Sequence, residues 1–274
     1  MQIPLRREIL RRWGIKDAVM GESLFNLTGK CALITGSSRG LGLVLAGGLA
    51  RAGARVALNG RHAGPLDAAV AELRDQDLDA RGYPFDVTDV VALAAGVAQI
   101  EADRGAIDVL VNNAGIQRRG ALAELSASAW REVLEVNLTG PFLVAQCVAQ
   151  GMIERQRGKI INICSLMSEV GRPTVGAYAS AKGGLKMLTR SMAVEWAGYN
   201  IQANAIGPGY FLTEMTRPLA EDAAFDAWLR SRTPAGRWGR PEELVGAAVF
   251  LASGASDFVN GQVIYVDGGI LAAL

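Results

Sequence analysis

Seven short runs of β-branched and other apolar residues recur along the chain, separated by longer alanine-rich stretches with helical spacing. The runs predict strands at Cys31–Thr35, Arg55–Asn59, Ala80–Phe85, Asp108–Asn112, Lys159–Ser165, Ile201–Ile206 and Gln262–Val266. Helices are expected over 41–52, 65–76, 89–104, 127–156, 178–198 and 241–252. Several strands are apolar on both faces, as in Ala32-Leu33-Ile34 and Ile160-Ile161-Asn162-Ile163. Such a strand needs cover on both sides, which a parallel sheet flanked by helices provides. The alternation predicts an α/β fold: one doubly wound parallel sheet of about seven strands with helices on both faces. Residues 207–240, rich in Pro, Gly and charge and containing Trp228 and Trp238, break the rhythm. They are expected to form a small lid over the carboxyl edge of the sheet.

Residues 1–25 stand outside this pattern and are expected to be a poorly ordered extension, although Leu5, Ile9 and Trp13 fall at four-residue spacing. Residues 26–274 then form one domain that includes the lid, a size that supports a well-filled core. The 28 basic and 27 acidic residues nearly cancel, giving a net charge of +1 and no support for a nucleic-acid partner. The longest apolar runs fall short of the ~20 residues of a membrane span, so no membrane partner is expected. Cys31, Cys147 and Cys164 are odd in number, widely spaced and without a CxxC, which fits a reducing cytoplasm. The single histidine, His62, argues against a histidine metal centre or a Ser-His-Asp triad, and no metal is expected.

The segment Thr35-Gly36-Ser37-Ser38-Arg39-Gly40-Leu41-Gly42 joins the first strand to the first helix. Gly36 permits the tight turn, Gly40 lets backbone approach a pyrophosphate, and Gly42 lets helix and strand pack closely. The helix N-terminus behind them offers unpaired N–H groups to phosphate, which points to a Rossmann-type dinucleotide site. Tyr178 and Lys182, four apart, share one face of a later helix.

Together with Asp86-Val87, Asn112–Gly115, Asn137, Ser165, Tyr178-Ala179-Ser180-Ala181-Lys182 and Pro208-Gly209, this turn resembles the motif series of the short-chain dehydrogenase/reductases. The resemblance runs from Leu27 to the end. It implies Tyr178 as general acid/base, Lys182 as its partner and a hold on the nicotinamide ribose, and Ser165 as the group that orients the reacting oxygen. It implies that Asn137 kinks the fourth helix and anchors a water that relays protons to Lys182. A free tyrosine has a pKa of ~10, and a nearby ammonium together with an oxidised nicotinamide ring is expected to lower it.

The cofactor contacts implied are Gly36, Ser38, Arg39, Gly40, Leu41, Gly42, Asn59, Arg61, Asp86, Val87, Asn113, Ala114, Gly115, Tyr178, Lys182, Pro208 and Gly209. NAD-using relatives end the second strand in an acid. Here Gly60 takes that place and Arg61 follows, with Arg39 on the other side, a pattern suited to the 2′-phosphate of NADP(H). Asp86 is expected at the adenine amino group.

Arg118 and Arg119 follow the fourth strand, and the loop after Ser165 adds Ser168, Glu169 and Arg172. Hydroxyl-bonding groups beside guanidiniums suit a small polyhydroxylated carboxylate. The segments GIQRR, INICS, SEVGR, GPGYF, TPAGRWG and SDFVNG resemble the gluconate 5-dehydrogenase branch of the family. That resemblance implies interconversion of D-gluconate and 5-ketogluconate, with Arg119, Ser165, Tyr178, Glu169, Arg172 and Tyr210 as substrate contacts and Arg118 turned outward. It also implies a homotetramer packed through the fourth and fifth helices. The rival readings are another sugar-acid or polyol dehydrogenase, such as one acting on 2-keto-3-deoxygluconate, a 3-oxoacyl carrier-protein reductase, and a non-enzymatic cofactor-binding regulator.

Overall fold

Strand β1 (Cys31–Ile34) alternates its side chains between two cores: Ala32 and Ile34 face one, Cys31 and Leu33 the other. That division repeats across the sheet in a computed structural model of the chain, which describes residues 24–273. Strands β2 (Arg55–Gly60), β3 (Ala80–Pro84), β4 (Val109–Asn112), β5 (Gly158–Ile163), β6 (Ile201–Pro208) and β7 (Val263–Val266) complete it. The order is β3-β2-β1-β4-β5-β6-β7, and every pairing is parallel. Helices α1 (Gly40–Arg51) and α2 (Ala63–Arg74) cover one face. Helices α3 (Val90–Arg104), α4 (Ala127–Glu154) and α5 (Gly176–Trp196) supply the other core or pack beside it.

Strand order reverses between β1 and β4, the point at which doubly wound sheets bind ligands outside the carboxyl ends of their strands. The lid region contains two short helices, α6 (Arg217–Ala220) and α7 (Ala223–Arg232). Helix α8 (Val245–Ala252), preceded by a 3-10 turn at Pro241–Leu244, returns to the first core.

The long fourth helix is interrupted by a π turn at Glu135–Thr139. Its whole span is long and apolar enough to match a membrane segment by length and composition, unlike the runs judged from sequence. Here its apolar face, including Val144, Val148 and Met152, is buried in the domain core. The extension expected over 1–25 lies outside the described residues except for Leu24 and Phe25, and the Phe25 ring lies 6.5 Å from that of Phe250.

Candidate active site

The turn after β1 is built by close backbone approach. Gly36 has φ of +61°, and a Cβ there would lie 2.7 Å from Ala114 Cα. A Cβ on Gly42 would sit 2.4 Å from Asn113 Nδ2 and 2.5 Å from Gly36 O, so the first turn of α1 can approach β4 only as glycine. Gly40 also has positive φ, at +59°. Thr35 Oγ1 accepts from the Asn113 and Ala114 amides at 3.0 and 3.1 Å, while Asn113 Nδ2 donates to Thr35 O and Gly36 O. The segment Asn113–Gly115 is thereby fixed against the glycine turn. Thr35 was not singled out from sequence as a site residue, although it opens the quoted motif.

The start of α1 fits a phosphate. Its N-cap residue Arg39 makes no side-chain cap bond, and no acid occupies the first turn, so the dipole end and its amides are left uncapped. Ser38 and Leu41 are half-buried beside it, and Arg39 and Arg61 are exposed. Arg39 lies 3.5 Å from Glu214 of the lid, an exposed pair that a phosphate can displace. Asp86 follows β3, and its Oδ1 accepts from the Thr88 amide and hydroxyl at 2.9 and 2.7 Å, which sets the plane of the carboxylate. Val87 beside it is buried in the core.

Asn59 departs from expectation. Its Oδ1 accepts from Gly36 N at 3.4 Å, and its Nδ2 donates to Tyr83 O at 3.2 Å and Phe85 O at 3.0 Å. With its amide engaged on three backbone groups and 1% exposure, the side chain braces the turn and is not presented to a ligand.

Ser165 follows β5 and caps the 3-10 turn Leu166–Ser168: its Oγ accepts from Met167 N at 3.1 Å, and Ser168 Oγ accepts from its amide at 3.3 Å. Held this way, the hydroxyl lies near enough to Tyr178 to favour its ionised form. Lys182, one turn on, is buried, with Nζ 5.7 Å from the centre of the Tyr178 ring and donating to Ile163 O at 2.6 Å. The expected depression of the tyrosine is absent in the protein alone. Desolvation, partly offset by the Ser165 hydroxyl, pushes Tyr178 up to about 12, and desolvation pulls Lys182 down to about 8. Lys182 is buried and Tyr178 half-buried, and desolvation is the largest cause for both.

Asn137 is fully buried inside the π turn, accepting from Ile116 N at 2.7 Å and donating to Ile116 O at 2.8 Å. Both atoms of its amide are thus engaged, so the side chain ties α4 to the loop after β4. A π turn inside an α-helix commonly marks a functional position.

The two arginines of that loop part company. Arg118 makes a two-pronged pair with Glu132, Nε at 2.9 Å and Nη2 at 2.7 Å, and faces outward. Arg119 lies in the field of Arg172 and Tyr210; desolvation and then Arg172 hold its guanidinium below the usual arginine range. Arg172 Nη1 donates to Tyr210 OH at 3.4 Å. Arg172 and Tyr210 therefore form a cationic, hydroxyl-bearing pair, and the exposed Arg119 is close enough to feel the charge of Arg172. Pro208 ends β6, and Gly209, whose amide donates to Val266 O, leads into Tyr210.

Glu169 does not join Arg172 and Tyr210. Its carboxylate is taken by Lys186 Nζ, on α5, and by Tyr265 OH at 2.6 Å, on β7, and these two bonds hold it below the usual carboxylate range. Neither partner was legible in the chain, because they come from 17 and 96 residues away. Also unforeseen is the lid's aromatic cluster of Tyr210, Phe225, Trp228 and Trp238, with ring centroids 5.2 to 6.3 Å apart. Among the described residues no group of three or more His, Cys, Asp or Glu side chains is placed to hold a metal ion.

Residues 36–271 match the profile of a family described as enoyl-(acyl carrier protein) reductase. The chain is a short-chain dehydrogenase/reductase. It is 55% identical over 251 residues to a 5-keto-D-gluconate 5-reductase of Escherichia coli K12, covering 92% of this chain and 99% of the relative. It is 52% identical over 257 residues to a 2-dehydro-3-deoxy-D-gluconate 5-dehydrogenase of Formosa agariphila, covering 93% and 97%. The crystal structure of a gluconate 5-dehydrogenase from Burkholderia cenocepacia J2315, in complex with NADP and tartrate, superposes with a TM-score of 0.89 at 53% identity, covering 92% and 98%.

Proposed function

We propose that this short-chain dehydrogenase/reductase is an NADP(H)-dependent gluconate 5-dehydrogenase, interconverting D-gluconate and 5-dehydro-D-gluconate. The observation that carries the reading is the bond between Arg172, on the loop that follows Ser165, and the Tyr210 hydroxyl after β6, with the Arg119 guanidinium in the field of both. The gluconate enzymes named among its relatives, at 53–55% identity over nearly the whole chain, support it. A polyhydroxylated carboxylate matches these groups, whereas an acyl chain calls for an apolar cleft.

When bound, NADP(H) supplies the hydride acceptor or donor. The glycine turn Gly36–Gly42 and the uncapped end of α1 would hold its pyrophosphate, Arg39 and Arg61 its 2′-phosphate, and Asp86 its adenine. Asn113, Ala114, Gly115, Pro208 and Gly209 would line the nicotinamide side, with Lys182 at the ribose. Ser165 orients the reacting oxygen through its hydroxyl. Tyr178, held protonated by desolvation, donates the proton when a keto acid is reduced and takes it back in the reverse direction. Asn137 braces the π turn behind this centre, and Arg119 and Arg172 take the substrate carboxylate with Tyr210.

The assembly we infer is a homotetramer packed through α4 and α5, whose exposed Phe142, Met187 and Val194 offer apolar surface for it. Three free cysteines, Cys31 and Cys164 buried and Cys147 half-buried, support a reducing cytoplasm.

NADPH oxidation with 5-keto-D-gluconate, 2-keto-3-deoxy-D-gluconate, L-sorbose and an acetoacetyl thioester tests the substrate class. The highest kcat/KM is expected with 5-keto-D-gluconate. A preference for the thioester would overturn the sugar-acid reading, and a preference for 2-keto-3-deoxy-D-gluconate would move the assignment to that substrate.

A further inference from the structure

Arg172 is the point at which the loop after Ser165 meets the lid. Besides its bond to the Tyr210 hydroxyl, its guanidinium carbon lies 5.2 Å from the centre of the Phe225 ring. Phe225 sits in the first turn of lid helix α7, where the Asp222 side chain accepts from its amide at 3.2 Å. Its ring is fixed in turn by Tyr210, edge-on at 5.6 Å, by Trp228 at 5.2 Å and by Trp238 at 6.3 Å. Asp226, the next residue, accepts from Trp238 Nε1 at 2.7 Å and so locks the helix to the buried end of the lid.

An arginine free in solvent samples many rotamers, whereas one resting on an aromatic face presents its N–H fork in a restricted direction. Arg172 reaches from a loop residue with no helix or strand of its own to orient it, so the ring and the Tyr210 hydroxyl fix its position. Lid helix and charge-reading arginine are in this way one unit.

We propose that Phe225 is a positioning residue for substrate choice: by stationing the Arg172 guanidinium, it makes the lid helix part of how a sugar acid's carboxylate is told from the hydroxymethyl group of the matching polyol. This rests on the sugar-acid reading above. It extends that reading from the groups that touch the carboxylate to the one that aims them.

The test compares wild type with Phe225→Leu and Phe225→Tyr. One readout is steady-state kinetics with NADPH on 5-keto-D-gluconate and on L-sorbose, its analogue with a hydroxymethyl in place of the carboxylate. The second is tryptophan fluorescence on titrating D-gluconate or D-glucitol into enzyme with NADPH, a pairing that cannot react, reported by Trp228 and Trp238 beside the substituted ring. For Phe225→Leu, KM for the keto acid and Kd for gluconate should rise about five- to thirtyfold, with kcat within about twofold. The L-sorbose and D-glucitol values should hardly move, and Phe225→Tyr should restore wild-type behaviour. Equal losses for charged and uncharged ligands would show a merely structural lid residue and overturn the proposal, as would no change at all. A wild-type enzyme that binds gluconate and glucitol alike would overturn the sugar-acid reading and the inference with it. Wild-type discrimination that survives intact in Phe225→Leu would overturn only the role of Phe225.

Discussion

Lys182 Nζ donates to the main-chain carbonyl of Ile163 at 2.6 Å, which anchors a buried ammonium to the end of the strand that leads into Ser165. That anchorage comes at an electrostatic cost that pH exposes. Burial lowers Lys182 from 10.5 to about 8, so between those values the unfolded chain binds the extra proton and stability rises with pH. Below about pH 8 the ammonium is charged in both states and the full cost is present. Unfolding free energies of wild type and Lys182→Met, measured by denaturant from pH 7 to 10.5, should therefore shift relative to each other in favour of wild type. At ~1.4 kcal/mol per pKa unit the change is on the order of 3 kcal/mol. Parallel curves would show that Lys182 is not the buried cation described.

The two adjacent arginines should separate cleanly. Arg119→Ala is expected to raise KM for 5-keto-D-gluconate about tenfold or more, through loss of a charge-assisted bond, and to leave L-sorbose little changed. Arg118→Ala, which removes the exposed pair with Glu132 and a local bond to Gln117 O, should stay within about twofold for both. Measured KM values for the four combinations decide the matter.

Cofactor choice should follow the cations flanking the glycine turn. Arg61→Ala is expected to weaken NADPH binding by about ten- to a hundredfold while leaving NADH binding unchanged. The same substitution at Arg39 should do likewise, with a smaller effect because Glu214 already competes for that side chain. Titration of each variant with both cofactors, followed by nicotinamide fluorescence, provides the check.

Asn59→Ala should act on stability as well as on cofactor affinity. The substitution strips hydrogen bonds from Gly36 N, Tyr83 O and Phe85 O in a buried setting, at a cost of about 2 to 4 kcal/mol in unfolding free energy. A direct ligand contact without a bracing role would weaken NADPH binding and leave the unfolding midpoint in place.

Much of this was legible in the chain itself, and the reasons are local. Strands apolar on both faces, such as Ala32-Leu33-Ile34, read correctly as central parallel strands because helices on either side remove any polar face. The Gly36–Gly42 turn was legible because its glycine spacing between strand and helix is a local signal and Gly36 and Gly40 take positive φ, although the close approaches at Gly36 and Gly42 are to Ala114 and Asn113. What escaped lies at long range. Glu169 reads as a pocket carboxylate until Lys186 and Tyr265 arrive from α5 and β7 to occupy it. Asn59 reads as a cofactor contact until the carbonyls of Tyr83 and Phe85 claim its amide. The direction of the Tyr178 shift depends on how much water reaches the phenol, which four-residue spacing to a lysine does not encode. Nor did the irregular lid reveal that Phe225, Trp228 and Trp238 gather around Tyr210.

The most direct test of the central claim is the product formed from 5-keto-D-gluconate and NADPH. Purified enzyme should convert the keto acid to D-gluconate, identified by chromatography against authentic standards, with one NADPH consumed per product. Formation of the C5 epimer L-idonate, or no turnover while an acetoacetyl thioester is reduced, would contradict it.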